Sequence, residues 1–170
     1  NSWDCYGASI TEKELKQNAD YMAEHLKKYG WEYIICDIQW YEPTADSSHY
    51  HKFADLCMDE YGRLIPAENR FPSAAGGKGF REIADYIHGK GLKFGIHIMR
   101  HPASICCWNS DMYGVDSTQP GAQEYYDSIL ELYASWGVDY IKVDDICVKY
   151  GRINDEGTLQ YGGDEIEMLH

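Results

Sequence analysis

Three times along this chain an amphipathic helical pattern runs into a glycine and then into a short apolar run with β-branched members. In the first unit Thr11 and Glu14 read as a capping box, and Leu15, Ala19, Met22, Leu26 and Tyr29 recur at steps of three and four. Gly30 stops that helix and EYIICDI follows. In the second, Phe80, Ile83, Ala84 and Ile87 form the apolar face, Gly91 closes it and LKFGIHI follows. The third has Pro120 in the first turn, with Ala122, Tyr126, Ile129, Tyr133 and Trp136 facing inward. Gly137 then leads into a strand from Val138 to Val143, inside WGVDYIKVDDIC. Strands separated by helices cannot pair as hairpins. They join by crossovers into a parallel sheet covered by helices, so the class is α/β.

Two architectures satisfy that rule, an open doubly wound sheet and a TIM (β/α)8 barrel. No GxGxxG or GxxxxGK[ST] follows any strand, which removes the nucleotide-binding form of the open sheet. Polar residues stand at the strand ends instead: Asp37 after YIIC, His97 after FGI, and Asp144 with Asp145 after YIKV. Polar groups delivered from several strand ends suit the mouth of a barrel, and the barrel is the expected fold. The long, glycine- and proline-bearing segment from Tyr41 to Ser73 is expected to wall that mouth.

Composition narrows the partners. With 44% apolar residues in 170, the chain can bury a core, and a formal charge of -13 spread along its length argues against nucleic acid and anionic membrane as partners. No run approaches a membrane-spanning length, and NSWDCYGAS lacks both a basic start and an apolar h-region, so neither a span nor a signal peptide is expected. A start at Asn1 reads as a processed or trimmed chain. The six cysteines lack paired CxxC spacing, which disfavours structural zinc. His49 and His51, an H-x-H near Asp46, read as solvated loop residues. Neither metal nor cofactor is expected.

Four stretches in order, NSWD, IICDIQW, YGRLIPAENRFPSAAGGKGFREIADYIHGKGLKFGIH and WGVDYIKVDDIC, resemble the catalytic barrel of glycoside hydrolase family 27, the melibiase-type α-galactosidases. The resemblance implies a retaining hydrolase that releases terminal α-D-galactosyl residues through a covalent glycosyl-enzyme. It implies that Asp144 is the catalytic nucleophile, the acid of the family's K-x-D element, and that Lys142 contacts the sugar. It sets Trp3 against the sugar ring and Asp37 on ring hydroxyls. These roles are chemically coherent. A retaining glycosidase needs one ionised carboxylate and a protonated partner about 5 to 5.5 Å away. Lys142, two residues before Asp144, projects from the same side of an extended strand, and its charge would keep Asp144 ionised.

Three departures from the family pattern bear on specificity. Where the family has a second acid after Asp37, this chain has Ile38. The family's acid there reaches the exocyclic 6-hydroxyl of galactose, so an apolar residue favours a sugar without that group. β-L-Arabinopyranosides, with the galactose ring configuration and no hydroxymethyl, are the alternative substrate class. His97 stands where the family often has Tyr, and either can hydrogen-bond a sugar or orient a carboxylate, but only His titrates near neutral pH. IMRHPASICC replaces a glycine-rich loop, and the resemblance suggests a disulfide from Cys106 or Cys107 to Cys147.

Residues 1–170 are expected to form the N-terminal half of such a barrel, with three complete strands, the end of a first one at Asn1 to Trp3, and the acid/base residue beyond the chain. Half a barrel exposes sheet edges and an apolar face, so self-association is expected of it, together with inactivity when alone. A barrel that binds carbohydrate without cleaving it is the reading from a different class. Secretion or periplasmic export suits a polysaccharide-degrading enzyme, an expectation drawn from the activity rather than from any segment. Within WGVDYIKVDDIC, Asp144 and Asp145 point to opposite sides of the strand end, so they do not form one paired site.

Overall fold

The computed structural model describes residues 1–47, 51, 54–99, 120–144, 152–153 and 159–160. Asp145, His49, Cys106, Cys107, Cys147 and most of the IMRHPASICC loop lie outside them. A short helix α1 (Trp3–Tyr6) opens the chain, followed by α2 (Glu12–Tyr21), β1 (Tyr33–Cys36), α3 (Arg81–Gly89), β2 (Lys93–Met99), α4 (Ala122–Ser135) and β3 (Tyr140–Asp144). A separate antiparallel pair, β4 (Arg152–Ile153) and β5 (Leu159–Gln160), follows. Strands β1, β2 and β3 form one parallel sheet in chain order, with Ile35 opposite Gly95 and Gly95 opposite Tyr140. That is the α/β crossover pattern anticipated from the three repeated units. The described residues supply three parallel strands, a partial barrel rather than a closed one.

The repeats fold for the reasons their residues suggest. Glu14 takes both the backbone N–H and the hydroxyl of Thr11 at 2.8 Å, completing the capping box that starts α2. The helix does not run evenly to Gly30. It widens into a π turn over Met22–Leu26 and tightens into a 3₁₀ turn over Lys27–Tyr29, before Gly30 ends it at φ 94°. That change of pitch rotates the apolar stripe, so Leu15 and Ala19 are buried while Tyr29 faces solvent. Pro120 likewise lies outside α4: Gly121, in the left-handed region, is the N-cap, and Pro120 precedes it. The third strand begins at Tyr140 rather than Val138, and Asp139 just before it acts as a staple. Its carboxylate accepts from His88 Nε2 at 2.7 Å and from the Phe94 N–H at 2.8 Å, tying the entrance of β3 to α3 and β2.

The core lies between the sheet and its helices. Phe80, at the start of α3, packs edge-to-face against Trp40, Phe71, Phe94 and Trp136. Trp136 lies so close over Gly79 that a Cβ there would fall 2.1 Å from the indole. The predicted inward face of α4 is buried at Ala122, Tyr126, Ile129, Tyr133 and Trp136, whereas Tyr125 is half-buried and donates its hydroxyl to the Gly62 carbonyl. Much of the segment after β1 is irregular but packed, with Trp40, Tyr41, Leu64 and Phe71 in the same core. It serves the core at least as much as any wall of a pocket. Among the described residues no helix is long and apolar enough to cross a membrane.

Candidate active site

Parallel pairing decides which side chains meet. Cys36 stands opposite Ile96 and His97 opposite Lys142, so Asp37, His97 and Lys142 form a row across β1, β2 and β3 at their carboxyl ends. Asp144 is two residues beyond Lys142 on the same face. The four side chains converge. Lys142 Nζ donates to Asp37 Oδ2 at 3.0 Å and lies 3.6 Å from Asp144 Oδ2. His97 Nε2 is 3.3 Å from Asp144 Oδ2 and 4.0 Å from Asp37 Oδ1.

The burial of these groups is graded. Asp37 and His97 are buried, while Lys142 is a third exposed and Asp144 half exposed. Burial alone would weaken the Lys142 ammonium, but the hydrogen bond to Asp37 and the charges of Asp37 and Asp144 together outweigh it and raise its pKa. Burial pushes the His97 pKa down, against the pull of Asp37 and Asp144 and with the help of Lys142. The Lys142 ammonium and the His97 imidazole thus flank Asp144 Oδ2, with the buried Asp37 carboxylate as the second acceptor of Lys142.

Asp37 is anchored from several directions. Its Oδ2 also accepts from Asn1 Nδ2 at 2.7 Å, its Oδ1 from the Ile38 N–H at 2.9 Å, and its own N–H donates to Ser2 Oγ at 2.9 Å. Ser2 N–H meets the Ile35 carbonyl at 3.0 Å, so the chain start does lie beside β1. It is helical by Trp3, which corrects the strand ending expected there. Trp3 is 39% exposed at that corner. Ile38 is buried in the hydrophobic core immediately after Asp37.

Some residues that build the site were not singled out from the sequence. Asn1 and Ser2 sit in the NSW element, where only the tryptophan drew notice. Trp40 donates its indole N–H to the His97 carbonyl at 2.9 Å. Arg70 is buried and gives Nη1 to the carbonyls of Gln39 and Glu42, and Nη2 to those of Ala8 and Ile10, at 2.7 to 3.0 Å. Its partners are backbone atoms, which carry no residue signature. His51, read as a solvated loop residue, instead pairs with the fully buried Glu42 at 2.7 Å and with Asp46 at 3.3 Å.

A β-L-arabinopyranosidase of glycoside hydrolase family 27 from Geobacillus stearothermophilus superposes with a TM-score of 0.87 at 54% identity, covering 99% of this chain and 43% of that one. A Bacillus halodurans protein with the provisional name α-N-acetylgalactosaminidase superposes with a TM-score of 0.83 at 55% identity, covering 99% of this chain and 44% of that one. Among curated sequences, the α-galactosidase of Oryza sativa subsp. japonica is 32% identical over 153 residues, 89% of this chain and 30% of the relative. The chain therefore spans less than a third of that relative's length and under half of those two solved chains. The family model described as alpha galactosidase A matches residues 3–162, and the chain belongs to that family, the melibiases of glycoside hydrolase family 27.

Proposed function

We propose that the protein carrying this chain is a retaining glycoside hydrolase acting on terminal sugars of galactose ring configuration, with β-L-arabinopyranosides preferred over α-D-galactosides. The observation that carries the reading is the convergence of Lys142, His97 and Asp37 on and around Asp144 at the carboxyl ends of parallel strands. Asp144 attacks the anomeric carbon as the glycosidic bond breaks, and the leaving oxygen takes a proton from a carboxylic acid. Water then cleaves the glycosyl ester, with that same residue as base. Asp37 is not that acid, because its oxygens already accept from Lys142, Asn1 and the Ile38 N–H. The proton donor is a carboxylic acid other than Asp37, and residues 1–170 act as the nucleophile-bearing, N-terminal half of a (β/α)8 barrel.

The preference for arabinopyranosides rests on Ile38. A buried apolar side chain next to Asp37 leaves an exocyclic hydroxyl without a partner, and such an orphaned group costs about 1 to 3 kcal/mol. The 54% identity to the arabinopyranosidase supports the same choice, and a variant of that enzyme was solved with arabinose. An α-D-galactoside preference is the second reading, favoured by the names of the curated relatives. Comparing kcat/KM of the full-length enzyme on p-nitrophenyl β-L-arabinopyranoside and α-D-galactopyranoside decides between them. The arabinoside is expected to lead, and Ile38→Asp is expected to shift the ratio toward galactoside by roughly 10- to 100-fold. A large galactoside lead in the wild type sinks the preference. No turnover of either, with sugar still bound, would identify a non-catalytic carbohydrate-binding barrel.

A further inference from the structure

We propose that His97 is a positioning residue: a neutral imidazole whose Nε2–H holds the carboxylate of Asp144 in place, without touching the sugar. The inference rests on Asp144 being the nucleophile. His97 is only 1% exposed even though Asp144 beside it is half exposed. The reason lies in the strand register. His97 is central in the row, and Lys142 reaches across β2 from one neighbouring strand to bond Asp37 beyond the other. With the ring 1% exposed, a ligand resting on Lys142 and Asp37 meets those side chains before the imidazole.

The proton's position follows from the partners. Nε2 faces Asp144 Oδ2 at 3.3 Å and Asp37 Oδ1 at 4.0 Å, whereas Nδ1 is buried with no hydrogen-bond partner among the described residues. A hydrogen on Nδ1 would be an orphaned donor, so the favoured tautomer carries it on Nε2. Imidazolium would require both. The charged groups facing the ring are Asp37 from the end of β1 and Lys142 and Asp144 from β3, and burial dominates them, depressing the His97 pKa. The 3.3 Å separation is long, as resting active-site contacts commonly are before substrate tightens them. β2 and the Trp40 indole on the His97 carbonyl fix the backbone that carries the ring.

A neutral donor suits this place. It orients the carboxylate and favours its ionised form without adding a second cation that would blunt its attack. Removing it has two consequences of known sign. Asp144 loses a fixed direction, which lowers kcat, and its pKa rises, which moves the acid limb of the pH profile to higher pH.

The test uses the full-length enzyme and an aryl glycoside it cleaves, with H97F, H97Q, H97N and D144N. H97F is expected to lower kcat by roughly 10- to 150-fold, the worth of one hydrogen bond to a charged group, with KM within about 3-fold and the acid limb displaced upward. H97Q retains a side-chain N–H at the reach of Nε2 and is expected to keep kcat within about 5-fold and the acid limb in place. If H97F does not fold, the amide pair decides, since the shorter H97N does not reach Asp144 and should lose kcat where H97Q keeps it. A rise in KM with kcat unchanged would make His97 a sugar contact and overturn the proposal, as would equal kcat in H97Q and H97N. D144N separates the two levels. If D144N still turns over, the nucleophile assignment itself is wrong; if D144N is dead and H97F keeps its kcat, only the role of His97 fails.

Discussion

Lys142 and Asp37 sit on strands that are not neighbours, yet their side chains meet at 3.0 Å across the face of β2. That bridge holds the ammonium 3.6 Å from Asp144 Oδ2, beside the buried His97. Neither residue could do this from its own strand alone.

Asp37→Asn should therefore fail in two separable ways. The buried amide leaves Lys142 with one carboxylate instead of two, so the Lys142 pKa falls, and the loss of charge-assisted bonds costs about 1.5 to 3 kcal/mol of stability. Urea denaturation measures the second effect. For the first, kcat/KM on the preferred glycoside should drop by roughly 100-fold, because both a sugar contact and the placement of Lys142 are lost.

Arg70 is a purely architectural target. Its guanidinium ties Gln39 and Glu42, just beyond Asp37, to Ala8 and Ile10 on the segment that also carries Asn1. Arg70→Met leaves those carbonyls without their donor and should destabilise by about 3 kcal/mol or more. Arg70→Lys should restore little, since one ammonium cannot span the fork. Denaturant midpoints of the two variants against the wild type check this, and a lysine variant of wild-type stability would contradict it.

His51 supplies a pH dependence of determined sign. Its hydrogen bond to Glu42 raises its pKa above the ordinary 6.5, against burial and with help from the Glu42 and Asp46 charges. The protonated form is thus favoured in the folded state. The stabilisation is fully present below pH 6.5 and is lost as pH rises through the elevated folded value. NMR titration of the His51 ring should show a midpoint above 6.5, and His51→Gln should flatten the decline of the urea midpoint as pH rises above 6.5 through the elevated folded value.

Residues 1–170 expressed alone offer a test of the half-barrel reading. Tyr140 and Val143 on β3 are 45% and 39% exposed, and this strand has β2 as its one partner in the sheet among the described residues. An apolar strand with an open edge pairs with further chains. Size-exclusion chromatography should show species larger than a monomer, with no glycoside hydrolysis. A monomeric, active fragment would contradict both expectations.

Much of this was legible in the residues. The capping box, the glycine stops and the apolar spacing located the three helix-strand units, because those signals act over three or four residues and need no tertiary partner. Asp37, His97 and Asp144 stood out because each is polar at the end of an apolar strand, and Lys142 through the family resemblance. The π turn at Met22–Leu26 left no comparable mark, nor did the four carbonyls held by Arg70 or the pairing of His51, itself 36% exposed, with the buried Glu42.

From sequence alone come the period of each element, the parallel class and the acids at the strand ends, since these depend on covalent order and on steric preferences between near neighbours. Tertiary structure decided which of those groups touch. Strand register set Asp37, His97 and Lys142 in one row, with Lys142 reaching Asp37 and the buried His97 lying 3.3 Å from Asp144. Burial and through-space charge arise only when residues distant in the chain meet, as Lys142 and Asp37 do from 105 positions apart.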